Sequence, residues 1–167
     1  MAWFRRVPPP AGDRLALDRD ERVVAWAQSD AGPVFATNVG LWLPSAEQRL
    51  GWHEIHKATW DGTELVVTPA REVASRAGYV VMADLPAVSL VLDAPGELPH
   101  QVRQRVTRSV GYSEQHQLSG GEGLRVAARR VPGRDGLRWT VRYDPGLDPD
   151  DPDVVEETDR LVAQARE

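Results

Sequence analysis

From Arg22 to Leu92 the apolar residues come in short runs separated by turn-forming residues, the pattern of strands rather than of helices. Val23, Val24, Ala25, Trp26 and Ala27 are apolar at every position, which predicts a largely buried strand over 22–28. Asp30-Ala31-Gly32-Pro33 predicts a turn, and strands over 34–37 and 41–43 follow. Asn38 and Gly40, which tolerate positive φ, suit the tight connection between them. A lead-in over 49–52 runs into a strand over 55–60. Asp61-Gly62 is a hairpin signal, and 64–68 is the return strand. Residues 69–76 are readable as a loop or as a helical turn. Strands over 79–82 and 87–92 end at Pro95-Gly96.

The period then changes. Leu98, Val102, Val106 and Val110 recur every four residues and predict a helix over 98–110, with Pro99 in its first turn and Gly111 just past its end. A weak strand over 112–118 leads through Ser119-Gly120-Gly121-Glu122-Gly123 to a hairpin of 124–131 and 137–143 about Asp135-Gly136. The acidic stretch 144–151 is broken by Pro145, Gly146 and Pro149. Asp151 as N-cap and Pro152 as first residue open a last helix, with Val154, Val155, Thr158, Leu161, Val162 and Ala165 on one side. No internal repeat shows. The expected class is α+β with mostly antiparallel strands.

The order of short strands followed by an amphipathic helix resembles a bacterial pleckstrin-homology-like domain. The residues that carry the likeness are Val34-Phe35-Ala36-Thr37-Asn38-Val39-Gly40-Leu41-Trp42-Leu43, Arg49-Leu50-Gly51-Trp52-His53-Glu54-Ile55 and Asp61-Gly62-Thr63-Glu64-Leu65-Val66-Val67. The layout is also similar to an uncharacterised actinobacterial family. The resemblance covers about 21–110. It implies a split β-barrel with a capping helix, preceded by an N-terminal tether (1–20, with Pro8, Pro9, Pro10 and Gly12). A β-hairpin and helix extension (111–167) would pack on the barrel. That fold serves lipid, peptide and protein binding alike, so it does not settle function.

Length, charge and composition narrow the classes. A chain of 167 residues fits one domain that needs no metal or disulfide staple. With no cysteine there are no disulfides and no thiolate nucleophiles or ligands. The net charge of −5 gives no general attraction to nucleic acid or anionic membrane. No apolar run is long enough for a membrane span, and none follows Arg5-Arg6 as a signal peptide requires, so a cytoplasmic location is expected. Trp3-Phe4-Arg5-Arg6 is too short to anchor alone and reads first as a docked or disordered terminus.

Motifs of catalysis are missing from the sequence. There is no G-x-S-x-G and no phosphate-binding G-x-x-x-x-G-K-[ST], and the Gly120, Gly121, Gly123 cluster reads as a turn. His53 and His56 are three apart in a strand context, where side chains i and i+3 face opposite ways, so neither a metal nor a cofactor is expected there. Trp26 and Trp139 read as core. Trp42, Trp52 and Trp60 surround one hairpin and are candidates to line a groove for a partner.

The sharpest local feature is an arginine-rich hairpin. If Asp135-Gly136 is a two-residue turn, Arg134 pairs with Leu137. One face then carries Leu124, Val126, Ala128, Leu137, Trp139, Val141 and Tyr143, and the other carries Arg125, Arg129, Arg138 and Arg142. Arg130 falls on the apolar face as a misfit. Such an arginine face suits an anionic partner, unless it is solvated or neutralised in cis by Asp148, Asp150, Asp151, Asp153, Glu156, Glu157 and Asp159 just downstream. The expected function is a non-enzymatic binding or scaffold module for a protein or peptide. The alternatives are an anionic-ligand module (acidic lipid, phosphate or, least favoured, nucleic acid) working through the arginines, and an enzyme of unknown class.

Overall fold

The computed structural model describes residues 15–167. The expectations for Trp3-Phe4-Arg5-Arg6 and for Pro8, Pro9, Pro10 and Gly12 lie outside the described residues. Eleven strands and two helices follow in the order β1 (Val23–Ser29), β2 (Gly32–Thr37), β3 (Gly40–Trp42), β4 (Leu50–Gly51), β5 (Ile55–Trp60), β6 (Glu64–Arg76), β7 (Tyr79–Asp84), β8 (Val88–Asp93), α1 (Leu98–Ser109), β9 (Val110–Gln117), β10 (Gly123–Arg130), β11 (Leu137–Tyr143) and α2 (Pro152–Ala165). A one-turn 3-10 helix, Trp52–Glu54, joins β4 to β5. Among the described residues, no helix is long and apolar enough to cross a membrane.

The strands form one sheet in the order β4-β3-β2-β1-β8-β6-β7-β11-β10-β9, with β5 paired to β6 beside this path. The path ends on two different edges, β4 and β9, so the sheet is open. The pleckstrin-homology-like barrel implied by the resemblance is therefore not formed, and α1 plugs no barrel end.

The reason lies in β6. Its 13 residues pair first with β5 and β8, through Leu65↔Leu90 and Trp60↔Leu65, and then with β7, through Ala70↔Asp84 to Arg76↔Tyr79. The segment 69–76, open in the sequence between loop and helical turn, is thus strand. Pro69, which has no N–H to give a ladder, sits where the strand changes partners, and its carbonyl accepts from Leu85 N at 2.8 Å. A register shift between Glu72 and Ala74 bends the strand further. β7 then pairs in parallel with β11, through Val80↔Thr140 and Val81↔Val141. The C-terminal strands extend the sheet instead of leaning on a closed barrel.

Two cores result. In the first, the predicted α1 stripe of Leu98, Val102 and Val106 is buried against Ala36, Leu41, Ile55, Leu65 and Leu90. In the second, Val81, Leu124, Val126 and Val141 pack beneath Val154, Leu161 and Val162 of α2. Each such side chain taken from water contributes about 1.5–3 kcal/mol. Asp151 caps α2 as its sequence suggests, accepting from Asp153 N at 2.9 Å. A polar clasp pins the helix. Thr158 Oγ1 lies 2.6 Å from Tyr143 Oη, Tyr79 Oη donates to Asp159 at 2.5 Å, and Arg76 donates to both tyrosine hydroxyls and to the Pro149 carbonyl. Burial and the hydrogen bond to Asp159 push the Tyr79 phenol up to about 12.

A second clasp holds the start of the described chain. The Glu21 carboxylate accepts from Thr37 Oγ1 at 2.7 Å, Trp42 Nε1 at 3.1 Å and Arg49 Nη1 at 2.7 Å. Burial pushes its pKa up, but these donors and the Asp18 backbone outweigh it and hold the carboxyl below its usual range.

Candidate functional site: an arginine-lined cavity

The hairpin of β10 and β11 pairs Leu124↔Tyr143, Val126↔Val141, Ala128↔Trp139 and Arg130↔Leu137. The connection is therefore the loop 131–136, not a two-residue turn. Leu137 meets Arg130 rather than Arg134, a shift of four residues. Because four is even, the division of faces survives the shift. Leu124, Val126 and Val141 lie on the α2 side, and Arg125, Arg129, Arg138 and Arg142 lie on the other. Arg130, the misfit, is exposed at the end of the ladder and donates to the Arg108 and Val110 carbonyls at 2.8 and 3.2 Å.

This geometry corrects the expectation that the acidic lead-in 148–153 lies against the arginines. The tail helix covers the opposite, apolar face. The arginine face instead turns toward the 3-10 turn, β5 and the end of α1. There it encloses a cavity of about 290 Å³ lined by His53, His56, Ala70, Met82, Val110, Ser113, Arg125, Ala127, Arg129, Thr140 and Arg142.

Arg129 is the floor. It is 8% exposed, and its shifted pKa reflects burial and Arg142, with no carboxylate among the described residues contributing. Its Nη2 donates to the Trp52 carbonyl at 3.0 Å, the Ile55 carbonyl at 2.9 Å and Ser109 Oγ at 2.6 Å, and its Nε also reaches Ser109 Oγ. Burial, with repulsion from Arg142, pulls its guanidinium down to about 10. Arg142 lies directly opposite Arg125 across the ladder. Arg142 Nε is 3.4 Å from Asp84 Oδ1, and Arg125 Nη1 donates to Ser113 Oγ at 2.8 Å. Burial and Arg125 lower the Arg142 pKa, against the pull of Asp84 and Asp144. Arg138 is turned away to Glu72, at 2.6 Å, and is not part of the lining.

The histidines reach the cavity by a route that local reading missed. Residues 52–54 are a 3-10 turn, not strand, so the opposite-face rule does not apply and both imidazoles line the same space. Gly51 makes room: a Cβ there would stand 2.4 Å from His53 Cε1. Its amide donates to Glu54 Oε1 at 3.0 Å, which closes the turn. His53 Nδ1 is buried and makes no hydrogen bond among the described residues. His56 Nδ1 is 3.2 Å from Asp84 Oδ2. Burial lowers both pKa values; near His53, Arg138, Arg129 and Arg134 reinforce it and Glu54 opposes, and near His56, Arg142 and Arg129 reinforce it and Asp84 opposes. Among the described residues, no group of three or more His, Asp or Glu side chains is arranged to hold a metal ion.

The tryptophan candidates lie elsewhere. Trp42 is 5% and Trp52 3% exposed, and their indole N–H groups donate to Glu21 and to the Thr37 carbonyl. Trp60 is half-buried against the first core. Trp26 stacks on Phe35 and Trp139 tilts against Tyr112, both half-buried rather than fully enclosed. Of the seven side chains singled out in the sequence, the cavity gathers Arg125, Arg129 and Arg142. His53 and His56, set aside in the sequence by the strand rule, join it, and Ser113, Thr140 and the adjoining Asp84 complete it without a sequence signal, because only the fold brings them together. A broader depression of about 760 Å³ over 18–21, Arg49, Arg134 and Arg138 has mixed charge, and its Arg49 is already paired to Asp18 and Glu21. Compared with known protein families, curated proteins and solved structures, the chain matches none.

Proposed function

We propose that this protein binds a small anionic ligand, carrying a carboxylate or phosphate group, in the cavity between β10–β11 and the 3-10 turn. The observation that carries the reading is the arrangement of like charge. Arg125 stands directly across from Arg142, and Arg129 directly across from Arg138, on one face of the hairpin. Like charges directly opposite in a sheet are unfavourable, and inside a partly desolvated cavity more so. Asp84 is a carboxylate in contact with this lining and is shared between Arg142 and His56. An anion seated between Arg125 and Arg142 relieves the repulsion and receives charge-assisted hydrogen bonds, with the hydroxyl of Ser113 as a further donor. Ala70, Met82, Val110 and Ala127 leave an apolar wall for the body of the ligand. The volume suits a metabolite-sized molecule rather than a polymer. The cytoplasmic location expected from the sequence belongs to this reading, since small phosphates and carboxylates are abundant there. A groove for a protein partner has less support, because Trp42 and Trp52, which suggested one, are buried.

Isothermal titration of the full chain with sulfate, inorganic phosphate, citrate and a set of phosphate monoesters tests the reading. Saturable one-to-one binding is expected. A lost charge-assisted contact costs about 1.5–3 kcal/mol, so Arg125→Gln and Arg142→Gln should each weaken it by about tenfold or more. The ranking of carboxylates against phosphates identifies the class. Absence of saturable binding by every anion up to about 10 mM overturns the proposal.

A further inference from the structure

The cavity also carries two groups able to change charge near neutral pH. We propose that anion binding here is coupled to protonation of His53 and His56, so that the site holds its ligand more tightly as pH falls below neutral. The inference rests on the anion-binding reading and names its regulation.

The geometry supplies the coupling. His53, on the 3-10 turn, faces Arg129, Arg134 and Arg138 from the hairpin and its neighbour Glu54, and it also borders the broader depression lined by Asp18, Glu21 and Arg49. His56, in β5, faces Arg142 and Arg129 from the hairpin and Asp84 from β7. Arginine stays charged throughout the physiological range, so its field disfavours a further proton on either ring. Burial acts in the same direction, and both rings sit below their ordinary pKa. An anion placed among the arginines reverses the local field. The imidazolium form has a donor on each nitrogen, whereas the neutral ring turns one lone pair toward whatever it faces. Bound anion and bound proton therefore stabilise each other, and by linkage each raises the affinity for the other by the same factor.

Sulfate is the probe, since its own charge is constant between about pH 5 and pH 8 whereas that of a histidine is not. Titration of the full chain at about pH 5.5 and about pH 7.5, each in two buffers of different ionisation enthalpy, reads affinity and proton exchange together. The expected result is an affinity about tenfold or more higher at the lower pH, with net proton uptake on binding. In the His53→Gln/His56→Gln double variant the ratio of the two affinities should fall toward one. Proton uptake by the unaltered protein is a readout that stands even if the variant folds poorly. Saturable sulfate binding with equal affinity at both pH values and no proton uptake overturns the coupling but leaves the anion site. A full pH dependence retained by a folded double variant also overturns it. No saturable binding at either pH removes both proposals together.

Discussion

At the scale of single residues, Arg129 and Asp84 have opposite roles around the same cavity. Arg129 is a strut: its guanidinium satisfies two carbonyls of the 3-10 turn and β5 and the Ser109 hydroxyl at the end of α1. Arg129→Leu takes a donor from each carbonyl; the Trp52 carbonyl keeps the Ile55 amide and the Ser109 hydroxyl, and the Ile55 carbonyl loses its guanidinium partner. An unmet buried acceptor costs about 1–3 kcal/mol, so we expect a loss of about 2–4 kcal/mol in denaturant unfolding. A loss below about 0.5 kcal/mol would show that the bonds are replaceable. Asp84 holds a place that a ligand carboxylate or phosphate could fill, next to Arg142 and His56. Asp84→Asn removes a competing negative charge, and sulfate affinity should rise several-fold by titration. A fall in affinity would mean instead that Asp84 orients Arg142 for binding.

At the scale of elements, the hairpin of β10 and β11 separates two surfaces. One is apolar and covered by α2, the other is basic and turned toward the cavity. Removing residues 152–167 therefore uncovers the second core, not the arginines. The truncated chain should melt at least about 10 °C lower or fail to fold. Where it folds, sulfate affinity should change by less than about threefold; one kcal/mol shifts melting by about 2–8 °C over this size range. A large gain in anion affinity on truncation would restore the tail as a mask over the arginines.

Much of the element layout was legible because alternation survives small errors. The hairpin's division into apolar and arginine faces is a matter of parity, and an even slip of register leaves it intact. The α1 stripe and the Asp151–Pro152 start of α2 were equally local and equally readable. Long-range pairing was not. Pro69, followed by the charged Arg71 and Glu72, hides the continuation of β6, and nothing in 79–84 says that its partner is a strand some sixty residues downstream. That pairing is what opens the sheet. The histidines were misjudged for a similar reason: a strand rule was applied to three residues that turn.

At the scale of the whole molecule, the sheet folds its basic face over the first core and leaves half-buried titratable groups at the junction. Both histidines have folded-state pKa values lowered from 6.5, so the unfolded chain binds more protons than the folded one as pH falls through that value. Stability should be greatest above about pH 7.5 and decline on acidification through about pH 6.5, with added sulfate offsetting the decline. Glu21 acts in a separate, lower window. Its pKa is lowered from 4.5, so its contribution is present above that value and lost as pH falls below it. Melting temperature against pH, with and without sulfate, checks the pattern; a protein whose stability is flat between about pH 7.5 and pH 5.5 would contradict it.

The central claim is that an anion is held at one place, between Arg125, Arg129 and Arg142. The most direct measurement is a sulfate titration followed by heteronuclear NMR, with backbone amides and arginine Nε–Hε groups assigned. The account predicts saturating shifts confined to the 3-10 turn, β5, the inner face of β10 and β11 and the Nε–Hε signals of Arg129 and Arg142, with α2 and the β1–β3 strands unmoved. Shifts that fail to saturate, or that spread over exposed arginines such as Arg19, Arg103 and Arg160 as much as over the cavity, would contradict it.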